Sequence, residues 1–162
     1  MEGLQQWMIY LLKCKRKNRN KMTKQMYPCL WFDGQAREAA DFYCTIFPNS
    51  KVINDSGMVV NFELNGQFFM GLNGGDRFKF NEAVSFVIPC KDQEEIDHYW
   101  NKFIADGGSE GNCGWCKDKF GLSWQVVPTI LGELMSNPEN RQKVVQAFMK
   151  MKKFDIETLK NA

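Results

Sequence analysis

The stretch Asp41-Phe42-Tyr43-Cys44-Thr45-Ile46-Phe47 recurs fifty-six residues later as Asp97-His98-Tyr99-Trp100-Asn101-Lys102-Phe103, with aspartate, tyrosine and phenylalanine in register. Self-similarity at a long offset is the mark of a duplicated structural unit. Each copy sits late in an amphipathic helical pattern. Ala36, Ala39, Ala40, Tyr43 and Phe47 share one face of the first helix, and Ile96, Tyr99, Trp100 and Phe103 share one face of the second. Asp33 and Asp92 stand just ahead of the two helices and are read as their N-caps.

Outward from the helices the same order repeats. An apolar strand precedes each, Tyr27–Phe32 and Ala83–Pro89, and β-like runs follow, ending in Gly66–Leu72 and Gly121–Val127. In the first copy Ser50–Asn54, Met58–Leu64 and Gln67–Leu72 read as strands, the last two joined by Asn65-Gly66, a strong two-residue hairpin signal. Glycines between Gly107 and Trp115 blur the strand boundaries of the second copy. After Pro128 the pattern turns helical: Thr129–Met135, Pro138–Met151 with Val144, Ala147, Phe148 and Met151 on one face, and a short turn over Asp155–Lys160.

These readings predict an α+β chain of two paired strand-helix-meander units. Each unit has one sheet face covered by its helix and the other bare. Two such units side by side would make a large curved mixed sheet around a concave cavity, the kind of place where small ligands bind. The expected organisation is a basic, poorly ordered extension over 1–25 and a domain over 26–162, with modules at about 26–75 and 82–128 and C-terminal helices over 129–160.

Composition sets the function classes aside in turn. Of 162 residues 44% are hydrophobic, enough for a packed core, and no run approaches the roughly 18 apolar residues of a spanning helix. The formal charge of +2 hides an asymmetry: residues 1–25 hold seven bases and one acid, which leaves fourteen bases against eighteen acids in the body. An acidic body has no electrostatic footprint for nucleic acid, whose affinity rests on neutralising phosphates. The segment Trp7–Leu12 is too short for a signal-peptide core and its basic run follows rather than precedes it. A short apolar anchor beside a polybasic run is one reading of this segment, on an anionic membrane surface. An upstream extension, with Met22 and Met26 as alternative starts, is the preferred reading, so no stable membrane association is expected.

The six cysteines lack the density of a small secreted scaffold, and a reducing cytoplasm is the expected compartment. Cys113-Gly114-Trp115-Cys116 has the spacing of a redox dithiol or of half a zinc site, but no second ligand pair accompanies it. It leads into a turn and a strand-like run instead of a helix, so two incidental free thiols are the preferred reading.

Several longer motifs carry a family resemblance. Tyr27–Gly34, Phe62–Gln67, Gly71–Gly75, Phe78–Ala83 and Cys113–Pro128, in this order, resemble the PhnB-like family of the vicinal oxygen chelate superfamily, which includes glyoxalase I and the extradiol dioxygenases. The likeness runs over roughly residues 26–160. Members usually carry leucine where this chain has Cys116. The resemblance implies paired βαβββ modules, assembly as a homodimer, and a small-molecule or divalent-metal site inside each sheet. Many members bear the name 3-demethylubiquinone 3-methyltransferase. That activity is not expected here, because no Gly-rich turn links a parallel strand to a helix and Gly107–Gly114 lacks that setting.

Catalytic members of the superfamily hold their metal on the first and last strands of each module. Carried over by position, Gln125 falls at the last-strand carboxylate and Met70 at its counterpart in the first module, while Ser85 and Met26 fall at the first-strand positions. Gln125 is thus the one candidate metal ligand, and a polar group that orients a ligand is the preferred role for it. With Gln125 facing the cavity, strand alternation puts Ser123 and Val127 beside it and sends Trp124 into the core. Trp31, Phe32, Phe68, Phe69 and Trp115 could stack on a planar ligand, but alternation sends about half of the strand aromatics inward. The only histidine, His98, is expected to face solvent. Arg77 and Lys79, in the charged loop Asn73–Asn81, could hold an anion at the cavity mouth, although a solvated linker is the simpler reading.

Two readings of function follow. One is an enzyme acting on a small molecule with Gln125 and Ser85 in its cavity and a weakly held divalent ion. The other is a binding module that sequesters or senses a small ligand without turnover. A redox protein built on Cys113 and Cys116 ranks below both.

Overall fold

The computed structural model describes residues 26–162, and the basic extension over 1–25 lies outside the described residues. The chain divides into two compact units that meet in sequence at Phe78 and Lys79. Each unit is built on a four-stranded mixed sheet.

In the first unit β1 (Cys29–Phe32), β2 (Lys51–Asp55), β3 (Val59–Leu64) and β4 (Gln67–Asn73) lie in the order β1-β4-β3-β2. β1 runs parallel to β4, with Cys29 level with Met70, and the other pairs are antiparallel. The β3–β4 turn places Asn65 and Gly66 both at positive φ (48° and 85°), as the Asn-Gly hairpin reading requires. Helix α1 (Ala36–Ile46) buries Ala36, Ala39, Ala40, Tyr43 and Ile46 on the sheet. Phe47, expected on that stripe, is the C-cap and only half-buried; Ile46 takes the buried place. Small residues allow a close approach here: a Cβ on Gly71 would lie 3.0 Å from that of Ala36. Phe62 stacks on Phe69 at 5.4 Å beneath Tyr43, giving the unit an aromatic core.

The cap of α1 is not Asp33. The Ala36 N–H donates at 2.9 Å to Oδ1 of Asn73, at the end of β4, and Asp33 is exposed. Because β1 and β4 are parallel neighbours, the end of β4 lies beside the start of α1. A residue thirty-seven positions away therefore reaches the helix terminus.

The second unit repeats the order. β5 (Ser85–Cys90), β6 (Ser109–Glu110), β7 (Trp115–Lys117) and β8 (Ser123–Pro128) lie as β5-β8-β7-β6, with β5 parallel to β8. Helix α2 (Gln93–Ile104) is capped by Asp92, whose carboxylate accepts from the Glu95 N–H at 2.9 Å, while Glu95 accepts from the Lys91 N–H. It buries Ile96, Trp100 and Phe103, and Tyr99 is half-buried at its edge. His98 is exposed and packs edge-on against Tyr99. Trp124 of β8 stacks on Phe103 at 4.5 Å, so Trp124 points to α2, as alternation predicted.

Beyond β8 follow α3 (Leu131–Ser136), α4 (Arg141–Phe148) and α5 (Ile156–Lys160). This tail is tied into its own unit through Phe154, Ile156 and Leu159, all buried. Gln93 links it to the start of α2: its Oε1 accepts from the Ile156 N–H and its Nε2 donates to the Phe154 carbonyl. The backbone N–H groups of Cys113 and Gly114 donate to Met151 and Lys152. Gly114 has φ of 81°, and a Cβ there would lie 2.4 Å from the Phe154 ring, so this contact requires glycine. Of the stripe expected on the second tail helix, Val144 is buried, and Ala147, Phe148 and Met151 are half-buried. Among the described residues no helix is long and apolar enough to cross a membrane.

Candidate functional site

With Trp124 against α2, the residues on either side of it in β8 face the opposite way. Ser123, Gln125 and Val127 therefore share the far face of the second sheet with Ser85 and Val87 of β5 and with Trp115 and Lys117 of β7, their register neighbours. The structure brings two of the expected site residues together: Gln125 Nε2 donates to Ser85 Oγ at 2.8 Å, and both side chains are half-buried. Directly across from Gln125 stands Val87, 57% exposed.

One step along β8, Ser123 is fully buried and its hydroxyl has no hydrogen-bond partner. An orphaned buried hydroxyl costs about 1–3 kcal/mol. Replacing it should therefore help the fold. Ser123→Ala is expected to leave stability unchanged or raise it by up to about 1 kcal/mol in denaturant titration. A loss of stability would show that the hydroxyl holds a structural partner. Ser123 also lines a cavity of about 190 Å³, whose walls include Glu82, Ser109, Glu110, Trp115 and Lys117. Lys117 Nζ pairs with Glu82 and holds its carboxyl below the usual carboxylate range. Lys152 does the same for Glu110, which also accepts from Trp100 Nε1.

The other expected site residues lie elsewhere. Met70 belongs to the far face of the first sheet, packed with Val59 and Leu72 in an apolar cluster beside Trp31 and Met58. Asn61, its partner across β3–β4, is buried there with Oδ1 unpaired. Met26 precedes β1 and is 94% exposed, so Cys29, not Met26, stands level with Met70. The strand begins later than the motif count placed it. Arg77 lies over the Phe78 ring at 5.3 Å, and both Arg77 and Lys79 are exposed. The neighbouring loop folds over Trp31, whose indole N–H donates to the Gly75 carbonyl at 2.7 Å. A Cβ on Gly74 would lie 2.2 Å from that ring.

Do these residues fit the divalent metal that the superfamily implies? Gln125 and Ser85 supply neutral oxygens only, and the Gln125 amide already donates to the serine. Among the described residues no three His, Cys, Asp or Glu side chains converge. Hard divalent ions are held chiefly by carboxylates and zinc by imidazole or thiolate, so this donor set does not fit such a metal. The cysteines fit a redox role no better. Cys116 is the buried middle residue of β7 and its thiol is pushed up to about 12 by burial, whereas a redox thiol needs a lowered pKa. Cys113 instead lies near the Phe148 carbonyl and Met149.

Residues 24–127 match the family model described as 3-demethylubiquinone-9 3-methyltransferase. The chain belongs to this family. It is the PhnB-like family, and its fold is that of the vicinal oxygen chelate superfamily. A PhnB protein of Bacillus cereus that carries the family's methyltransferase name is 28% identical, with a TM-score of 0.60 over 65% of this chain and 100% of that one. Two more distant structures share the fold alone. They are the fosfomycin resistance protein FosX of Listeria monocytogenes (15% identity, TM-score 0.51, 75% of this chain and 99% of that one) and a glyoxalase-related enzyme of Fulvimarina pelagi (12%, 0.50, 67% and 91%). No curated protein matches the chain.

Proposed function

We propose that this PhnB-like chain binds a small molecule on the far face of its second sheet, with Gln125 and Ser85 as the groups that orient it. The observation that carries the reading is their 2.8 Å hydrogen bond. It joins two polar side chains from parallel strands on a half-buried face. The bond leaves the Gln125 carbonyl oxygen and the Ser85 proton available to a ligand. A few convergent polar groups beside apolar side chains, here Val87, Val127 and Trp115, is the usual make-up of a small-molecule site.

Binding without metal chemistry is the version this donor set favours. Homodimer assembly and a cytoplasmic location remain part of the proposal. Light scattering of the purified protein tests the first.

Native mass spectrometry of protein purified without chelator, with thermal shift across Mg, Mn, Fe, Ni and Zn on wild type and Gln125→Ala, tests the site. The expected result is a bound organic mass that is lost in Gln125→Ala, with no metal-dependent shift in either protein. A stoichiometric metal lost in the variant would overturn the reading and make the metal enzyme primary.

A further inference from the structure

We infer that the cavity beside Ser123 receives the carboxylate of a small organic acid, with Lys117 as its cation and Ser123 as its hydrogen-bond donor. The inference rests on the proposed small-molecule site and names the charge class of its ligand. Lys117 and Ser123 are direct cross-strand partners on β7 and β8, and cross-strand partners on one face have Cβ atoms about 4.5–5.5 Å apart. Both side chains are donors. Ser123 is fully buried with no partner, so the protein holds a donor at the cavity wall that nothing in the protein satisfies. Trp115, two residues before Lys117, adds an apolar surface for a carbon skeleton.

What occupies the Lys117 ammonium now is itself a carboxylate. Glu82 comes from an exposed turn, and its side chain is 63% exposed. An ion pair so exposed contributes little, about 0–1 kcal/mol. A ligand carboxylate that also reaches Ser123 can therefore displace Glu82 at small cost, and the released side chain returns to water. Glu110, the other acid at the wall, is held by Lys152 and Trp100 and does not compete for Lys117. The volume of 190 Å³ equals that of about six water molecules, at about 30 Å³ each. It suits an acid of about that many non-hydrogen atoms.

Lactate, with its neutral isostere lactamide, is the probe. Amide and indole resonances of the full-length protein are followed by NMR at millimolar probe. Lactate is expected to move Lys117, Ser123 and the Trp115 indole, and lactamide to bind about ten-fold or more weakly, as the loss of a charge-assisted hydrogen bond implies. Lys117→Met should abolish the lactate response, with its fold checked by thermal melting. Glu82→Gln, which removes the competing carboxylate and leaves the pocket intact, should tighten lactate several-fold. Equal binding of lactate and lactamide, a response that survives Lys117→Met, or lactate shifts confined to Ser85 and Gln125 would each overturn the carboxylate assignment. In those cases the Gln125 reading stands. No lactate response together with a Gln125-dependent ligand in native mass spectrometry sinks this inference alone. The absence of both sinks the two readings together.

Discussion

Asp118→Ala is expected to destabilise the protein by about 3 kcal/mol or more, seen as a lower denaturant midpoint, because Asp118 accepts three hydrogen bonds that close a buried network. Asp118 is 2% exposed. Its Oδ2 accepts from the Trp124 indole at 2.8 Å, and its Oδ1 accepts from the backbone N–H groups of Phe120 at 2.9 Å and Leu122 at 3.1 Å. Truncation strands the Leu122 N–H and the Trp124 indole donor in the core, and each stranded donor costs about 1–3 kcal/mol. Asp118→Asn provides the sharper comparison. Its carbonyl oxygen can still serve the two backbone groups, but its amide would face the indole N–H, donor against donor. It should recover only part of the loss. If Asn restored full stability, the indole bond would contribute nothing and the argument for the network would fail.

Trp124→Ala is expected to cost about 3–5 kcal/mol, the range for removing a large aromatic from a packed core, and to lower the melting temperature by roughly 10 °C or more. The indole is 2% exposed, stacked on Phe103 at 4.5 Å and tilted against Phe86 at 5.4 Å. Trp124→Phe keeps a ring on Phe103 but removes the indole donor to Asp118 Oδ2, so it should fall between wild type and alanine. A double-mutant cycle with Asp118→Ala should show strong coupling, since the two side chains share one hydrogen bond. Additive effects would separate the stacking from the network. Neither side chain lies on the far face, so a ligand response at Gln125 should persist in any variant that remains folded.

Much of this is legible in the sequence. The Asp41 and Asp97 repeats mark the two helices, and Asn65-Gly66 marks the hairpin, because both depend on local backbone preference and short-range periodicity. The direction of Trp124 followed from alternation alone once Gln125 was placed on the opposite face. Gln125 and Ser85 fall together as site candidates only through the superfamily resemblance, which places them at the last-strand and first-strand positions. The cap of α1 was not legible. Asp33 has the right residue type at nearly the right place, yet the bond comes from Asn73, which only the parallel pairing of β1 and β4 carries there. The glycines around Gly107–Gly114 hid β6 and β7, and with them the pairing of Lys117 with Ser123. The nearest signal was the Trp115–Lys117 alternation, which has meaning only once its partner strand is known.

The amino-acid sequence by itself determined the duplicated strand-helix-meander units through their repeat, the family through the resemblance of its motifs, and the core-facing side of the two sheet-covering helices through periodicities of a few residues. Tertiary structure alone decided which polar groups are satisfied. It left the Ser123 hydroxyl and the Asn61 oxygen without partners, placed Cys116 in the core, and set Glu82 on Lys117. The physical reason is range: a helix or a hairpin is specified by neighbours in the chain, whereas burial and hydrogen bonding depend on residues that meet only after the strands have paired.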